Sequence, residues 1–241
     1  MIHPSAFRLA THANAALAGL DVDWNRLPEF PSDADWTFYV PGSNGRKLRK
    51  TPAEWVETMR SLGTRRAWYG YGPPDAPGDG VWTESDAGRN YYHATETFEE
   101  RILVRASLNG RPVSPSFAAL FTEVQPATEA LRNALPWMLD YASGFNHNEF
   151  VPYFTSAMDL FAGRATPPEW VDSMFPSIYP QEHRILLAAA AAGNVFGNGG
   201  MGWWNDFNPR DPELFRQLTE CYRGVLFSAY VAASRLEIII K

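Results

Sequence analysis

Five histidines, one cysteine, many carboxylates and a glycine-rich stretch are the side chains of this 241-residue chain best suited to chemistry. The histidines stand at 3, 12, 93, 147 and 183. None pairs with a second ligand at the spacing that places both on one helix face, and no HExxH occurs. His147 and Glu149 in "HNE" are next-but-one neighbours, whose side chains diverge on a helix. The pattern therefore predicts no metal and no cofactor. Ser143 in "YASGF" lacks the flanking glycines of a nucleophile elbow. Cys221 falls within an apolar helical seam and reads as a core thiol. Among 27 acidic residues, two carboxylates could converge for hydrolysis, and a Trp-rich chain would suit stacking on a sugar.

The stretch "GNVFGNGGMGWWNDF" (193–207) looks at first like a phosphate cradle. Its context differs from one. A helical pattern precedes it where a dinucleotide loop needs a strand, and it lacks the Lys and Ser/Thr of a Walker loop. Its glycines offer close backbone approach and positive φ, and Gly193 or Gly197 can end the preceding helix. Trp203 and Trp204 point to opposite sides of an extended chain, so one can anchor in the core while the other faces outward. Asn205 and Asp206 can hydrogen-bond the local backbone and fix the turn. These four residues form one candidate binding set. A second lies in the Pro/Gly-rich segment 72–86, which carries Asp75, Asp79, Glu84 and Asp86 and no base. With Trp82, and with Tyr69 and Tyr71 at its border, it is either a docking surface for a basic partner or a plain surface loop. The basic "GRKLRK" (45–50) reads as a solvated edge.

The elements that must position these residues follow from periodicity and turn chemistry. Residues 4–19 predict an amphipathic helix stopped by Gly19, and "WTFYV" (36–40) a strand. "TPAEWVETM" (51–59) predicts a helix with Thr51 as cap, Pro52 at its first position and Glu54 closing a capping box. It echoes "TPPEWVDSM" (166–174), either as a duplication or as two similar helix starts each packing a Trp on the core. "RRAWYGY" (65–71) predicts a strand. Ile102, Val104, Ala106 and Leu108 alternate toward an Asn-Gly turn at 109–110. After Val113 every segment reads helical, ending in a long helix capped by Asp211. There Leu214, Leu218, Cys221, Val225, Ser228 and Ala232 form one apolar stripe, and Phe215, Tyr222, Leu226 and Ala229 a second. The expected fold is α+β: a small mixed α/β part (1–113) packed on a larger all-helical part (114–241) as one compact unit.

Composition narrows the function classes. A net charge of −6 argues against a general nucleic-acid binder. The longest apolar run, "ILLAAAAA" (185–192), is too short to span a membrane, and the N-terminal segment reads as a helix of the mature protein. One cysteine leaves no disulfide within the chain, which fits the cytosol and is compatible with a periplasm. Cut at residue 145, the sequence carries −3 on each side, so its acidity looks evenly spread.

Val195, Phe196, Gly197, Met201, Gly202, Trp204, Asn205 and Asp206 carry one likeness. "VFGNGGMGWWNDF" resembles a VFGGMGSWND-like box of small bacterial proteins, some of them similar to immunity proteins of secreted toxins. Here Asn198 and Gly199 lengthen the loop. The resemblance implies no catalytic residues. It implies a bacterial protein that acts by binding, and an acidic immunity protein would oppose a basic toxin by charge. The leading expectation is a non-enzymatic binding protein with a cognate protein toxin as partner. The alternatives are a hydrolase acting on a sugar or other small molecule, and a homo-oligomeric structural protein.

Overall fold

The computed structural model describes residues 4–24, 27, 36–40, 47–49, 51–72, 78–86, 88–99, 102–113, 123–196, 204–206, 209 and 211–236. Side chains at 36, 37, 39, 40, 47–49, 93–99, 102–113 and 205 lie outside that description. The fold is α+β, and it divides into two compact units. The sheet unit comprises residues 2–119, 174–178 and 234–241; the helical unit comprises residue 1, 120–173 and 179–233.

The sheet unit opens with helix α1 (Pro4–Leu17). Gly19, at φ +86°, ends it, and the Leu20 N–H returns to the Ala15 carbonyl in a Schellman closure. Strands β1 (Trp36–Val40) and β2 (Lys47–Arg49) follow, then helix α2 (Pro52–Ser61). The capping box forms as its sequence demands: the Glu54 N–H donates to Thr51 Oγ1, and the Thr51 N–H donates to the Glu54 carboxylate. Strands β3 (Thr64–Tyr71), β4 (Asp79–Ser85), β5 (Gly88–Glu99) and β6 (Ile102–Val113) complete a six-stranded sheet in the order β2-β1-β6-β5-β4-β3. All neighbours are antiparallel except β1 and β6, which run parallel.

Two expectations change here. The Asn109–Gly110 pair is not a turn: β6 runs straight through it, with Asn109 opposite His93 and Gly110 opposite Tyr92. Pairing along nearly the whole of β5 outweighs the local turn preference of one dipeptide. The acidic segment 72–86 is not one loop either, because its second half is strand β4. There Trp82 pairs across the sheet with Trp68 on one side and Tyr91 on the other.

The sheet's two faces have different partners. Tyr69 meets Phe7 of α1, and Tyr92 meets Trp55 of α2 edge-on at 5.3 Å. On the opposite face Trp68, Trp82 and Tyr91 form a buried aromatic row, with Trp68 and Trp82 parallel at 6.4 Å. Gly70 and Gly80 make room for it: a Cβ at Gly70 would stand 2.8 Å from the Trp82 ring, and one at Gly80 2.7 Å from Tyr91. The outer edge of β3 is closed by side chains. Asn14 donates to the Ala67 carbonyl (2.5 Å) and accepts from the Ala67 N–H (2.6 Å), while Ser234 Oγ accepts from the Tyr69 N–H (2.8 Å). The backbone groups at the middle of this edge are therefore taken, which disfavours pairing with another strand.

The helical unit contains α3 (Val124–Gly144), α4 (Val151–Phe161), α5 (Glu169–Asp172), α6 (Gln181–Ala192), a 3-10 turn (Trp204–Asp206) and α7 (Pro212–Ser234). Asp211 caps α7, its carboxylate accepting from the Leu214 N–H at 3.0 Å. The core gathers Leu131 and Leu135 of α3, Phe154 and Ala157 of α4, Leu186 and Ala189 of α6, and Tyr222 and Leu226 of α7. Two tyrosines of α7 reach the C-terminal end of α6. There the Tyr222 hydroxyl donates to the Gly193 carbonyl (2.7 Å) and the Tyr230 hydroxyl to the Ala190 carbonyl (3.0 Å). Ala190 lies in the last turn of α6 and Gly193 is its C-cap, so these are carbonyls that the helix itself leaves unbonded.

The two WV boxes part company in three dimensions. Trp55 is 1% exposed, whereas Trp170 is 41% exposed on a helix of four residues with no side-chain cap. Among the described residues no helix is long and apolar enough to cross a membrane.

Candidate functional site

The candidate residues of segment 72–86 belong to the sheet unit and those of the glycine box to the helical unit. Asp75 lies outside the described residues. Asp79 accepts a hydrogen bond from the Tyr69 hydroxyl at 2.7 Å, and Trp82 is buried. Glu84 sits between two arginines, Arg66 at 2.5 Å and Arg89 at 2.8 Å, both from neighbouring strands. Burial pushes its carboxyl up, but the hydrogen bonds and charges of Arg66 and Arg89 outweigh this and hold it below the ordinary carboxylate range. Asp86 pairs with Arg65. The segment has no base of its own, yet adjacent strands supply three, so Asp79, Glu84 and Asp86, the described carboxylates, are engaged within the unit.

In the glycine box, Trp203 lies outside the described residues, as does the Asn205 side chain; Asp206 is exposed. Trp204 is the core anchor. Its indole N–H donates to Thr219 Oγ1 at 2.9 Å, and Phe215 stacks on it at 5.4 Å with Phe150 and Phe154 edge-on. It is fully buried and presents no surface to a partner. Gly193 does end α6, but at φ −79°, not at a positive φ. What requires glycine there is proximity: a Cβ would meet the Tyr222 hydroxyl at 2.6 Å.

The feature with an open surface is one that the stripe of α7 foreshadows. Phe215, Tyr222, Leu226 and Ala229 face the aromatic and helical core. The stripe through Leu214, Leu218, Cys221 and Val225 does not. Leu214 is 39% exposed, and Cys221 is exposed rather than a core thiol. The second seam on this helix already satisfies the core, which leaves the first one partly open over its N-terminal part; at its other end Ser228 is half-buried and Ala232 is buried. Opposite it, α3 presents Ala130, Asn133, Ala134 and Trp137, spaced three and four apart and so on one face. The two faces bound a groove of about 310 Å³ floored by Met138 and Tyr222.

Trp137, at its lip, is 70% exposed, the most exposed large apolar side chain described. The groove lies wholly within the helical unit. No protein-family model, no curated protein and no solved structure matches the chain.

Chemically the groove is hydrocarbon relieved by the Asn133 amide, the Cys221 thiol and the Trp137 indole N–H, the Tyr222 hydroxyl being engaged by Gly193. Among the described residues no three His, Cys, Asp or Glu side chains converge as metal ligands. Charge adds direction. The helical unit carries 12 acidic and six basic residues, a formal −6, and the sheet unit 15 of each. Dividing by structure instead of by sequence position thus moves the whole net charge of the chain onto the unit that holds the groove. Glu129 and Asp140, both exposed, stand on the outer edge of α3, Asp140 one turn beyond Trp137. Among the described residues neither forms an ion pair with a basic side chain; Glu129 accepts only from Gln125. On α7, by contrast, Arg216 engages both Glu213 and Glu220.

Proposed function

We propose that this protein acts by binding a protein partner through the groove between α3 and α7. The observation that carries the reading is Trp137, an exposed indole at the lip of an apolar groove. Water-exposed apolar surface of this kind is a characteristic of interaction sites, and tryptophan is over-represented among residues that dominate binding energy. The groove lining suits burial of a partner's apolar side chains better than acid–base or nucleophilic chemistry, so a hydrolase reading has less to rest on. The likeness of the Val195–Asp206 box to immunity-type proteins supports a finer version, in which the partner is a cognate bacterial toxin neutralised by direct contact. The concentration of negative charge in the helical unit agrees with a basic partner of that kind.

Co-expression with the products of adjacent genes tests this reading. The expected result is a stoichiometric complex by size-exclusion chromatography with light scattering. Trp137→Ala should weaken it by about 30-fold or more, the range of an interface hot spot. Because Trp137 is largely exposed, that variant should fold as the parent does. A partner complex indifferent to Trp137→Ala would overturn the assignment to this groove, and the absence of any complex would overturn the toxin version.

A further inference from the structure

We infer that the occupant of the α3–α7 groove is a single basic amphipathic helix of the partner protein. This rests on the proposed binding function and goes beyond it by naming the ligand's form and charge. The groove wall on α3 runs from Ala130 to Trp137, and that on α7 from Leu218 to Val225. Seven residue-to-residue steps along each helix give a length of about 10 Å, or two helical turns. Two apolar walls, each two turns long, match the face of a third helix presenting apolar residues at i, i+3 or i+4, and i+7. An added strand has no place here, since helix backbones bond internally and leave no free ladder.

Charge selects among helices. Glu129 and Asp140 flank the α3 wall without a cationic partner among the described residues, and the unit around them carries −6. The outer edge of the α7 wall carries Gln217, Gly224 and Ser228, and the acids beside it, Glu213 and Glu220, are both paired with Arg216. A helix with Lys or Arg beside its apolar stripe, turned toward α3, satisfies this asymmetry. A second copy of the chain does not: it would bring the same excess of acid against itself, at a cost in both association rate and affinity.

Cys221 supplies the readout. It is the only cysteine in the chain, it is exposed, and it lines the groove. The purified full-length protein is treated with iodoacetamide alone and with one of two 18-residue helical peptides. Both peptides share the same leucine stripe; one carries Lys and the other Glu at the flanking positions. The Lys peptide should slow alkylation of Cys221 at least tenfold at saturation. Its affinity should fall tenfold or more in Trp137→Ala and several-fold in the Glu129→Gln/Asp140→Asn double variant, and should weaken as salt rises. Equal protection by the Glu peptide, no protection by either, or protection by the Lys peptide unchanged in Trp137→Ala would each overturn the inference. So would slowing of alkylation with protein concentration alone, accompanied by a dimer in light scattering, since a second copy would then fill the groove. A partner complex that depends on Trp137 while the Lys peptide fails would remove the helix inference and leave the binding function standing.

Discussion

His12 shows what burial does to one titratable side chain. It lies on α1, its ring nitrogen Nδ1 donating to the Arg8 carbonyl at 2.8 Å, with Trp24 beside it. Burial lowers its pKa to about 4, against the partial counter-effect of that hydrogen bond, and the Arg8 charge lowers it further. The folded pKa therefore lies below the unfolded value near 6.5. Between the two, the unfolded chain holds a proton that the folded one does not. His12 thus costs nothing above pH 6.5, and stability is lost as pH falls from there toward 4, by about 3 kcal/mol in all. His183, buried against the Ala233 carbonyl, is shifted in the same direction for the same leading reason. Glu84 adds to the acid side, since its arginine-held charge is lost as the carboxyl protonates. Replacing His12 with Gln isolates the first effect. Urea unfolding at pH 7 and pH 4 should show the parent losing about 3 kcal/mol more than His12→Gln. Parallel losses in the two proteins would contradict this account.

At the scale of elements, much was legible in the sequence, and the misreadings share a cause. The capping box at Thr51, the Gly19 stop, the strands at 36–40 and 65–71 and the Asp211 cap are local signals, and they formed as expected. Strands β4 and β5 were missed because their residues, such as "DGVWTES", carry no clean alternation; they exist through pairing with neighbours on both sides. The same limit applies to the groove. The stripe through Leu214, Leu218, Cys221 and Val225 was visible, but periodicity reports that a face is apolar, not whether anything covers it. Trp137 carries a usable signal in the sequence: it shares the helix face of Ala130, Asn133 and Ala134.

Gly193 makes a prediction at this scale because two elements meet there. At φ −79° alanine would ordinarily be welcome and add a few tenths to one kcal/mol. Here its Cβ would stand 2.6 Å from the Tyr222 hydroxyl and 3.3 Å from Leu135 Cδ2. Gly193→Ala should therefore destabilise by about 1–3 kcal/mol, by overpacking and by displacing the hydroxyl from the Gly193 carbonyl. In a Tyr222→Phe background the oxygen is gone, and the same substitution should be near neutral in thermal unfolding. A stabilised Gly193→Ala in the native background would show that the Tyr222 hydroxyl is not held against Gly193.

For the whole molecule, the separation of charge from apolar contact predicts how binding divides into rates. A field set by the −6 of the helical unit acts over about 10 Å at 0.1 M salt, before any contact forms. The Trp137 indole acts only once it is covered. Charge at the groove's edge should therefore govern association, and Trp137 dissociation. With the Lys-flanked peptide immobilised, Glu129→Gln/Asp140→Asn should lower the association rate several-fold, flatten its dependence on salt and leave the dissociation rate within about twofold. Trp137→Ala should raise the dissociation rate tenfold or more and leave association near the parent value. The assignment is specific because each variant has its own kinetic signature. If both variants acted through dissociation alone, Glu129 and Asp140 would be direct contacts of the bound state and not a guiding field. If Trp137→Ala slowed association with dissociation unchanged, the indole would shape the open groove, and the anchor would have to lie elsewhere along α3 or α7.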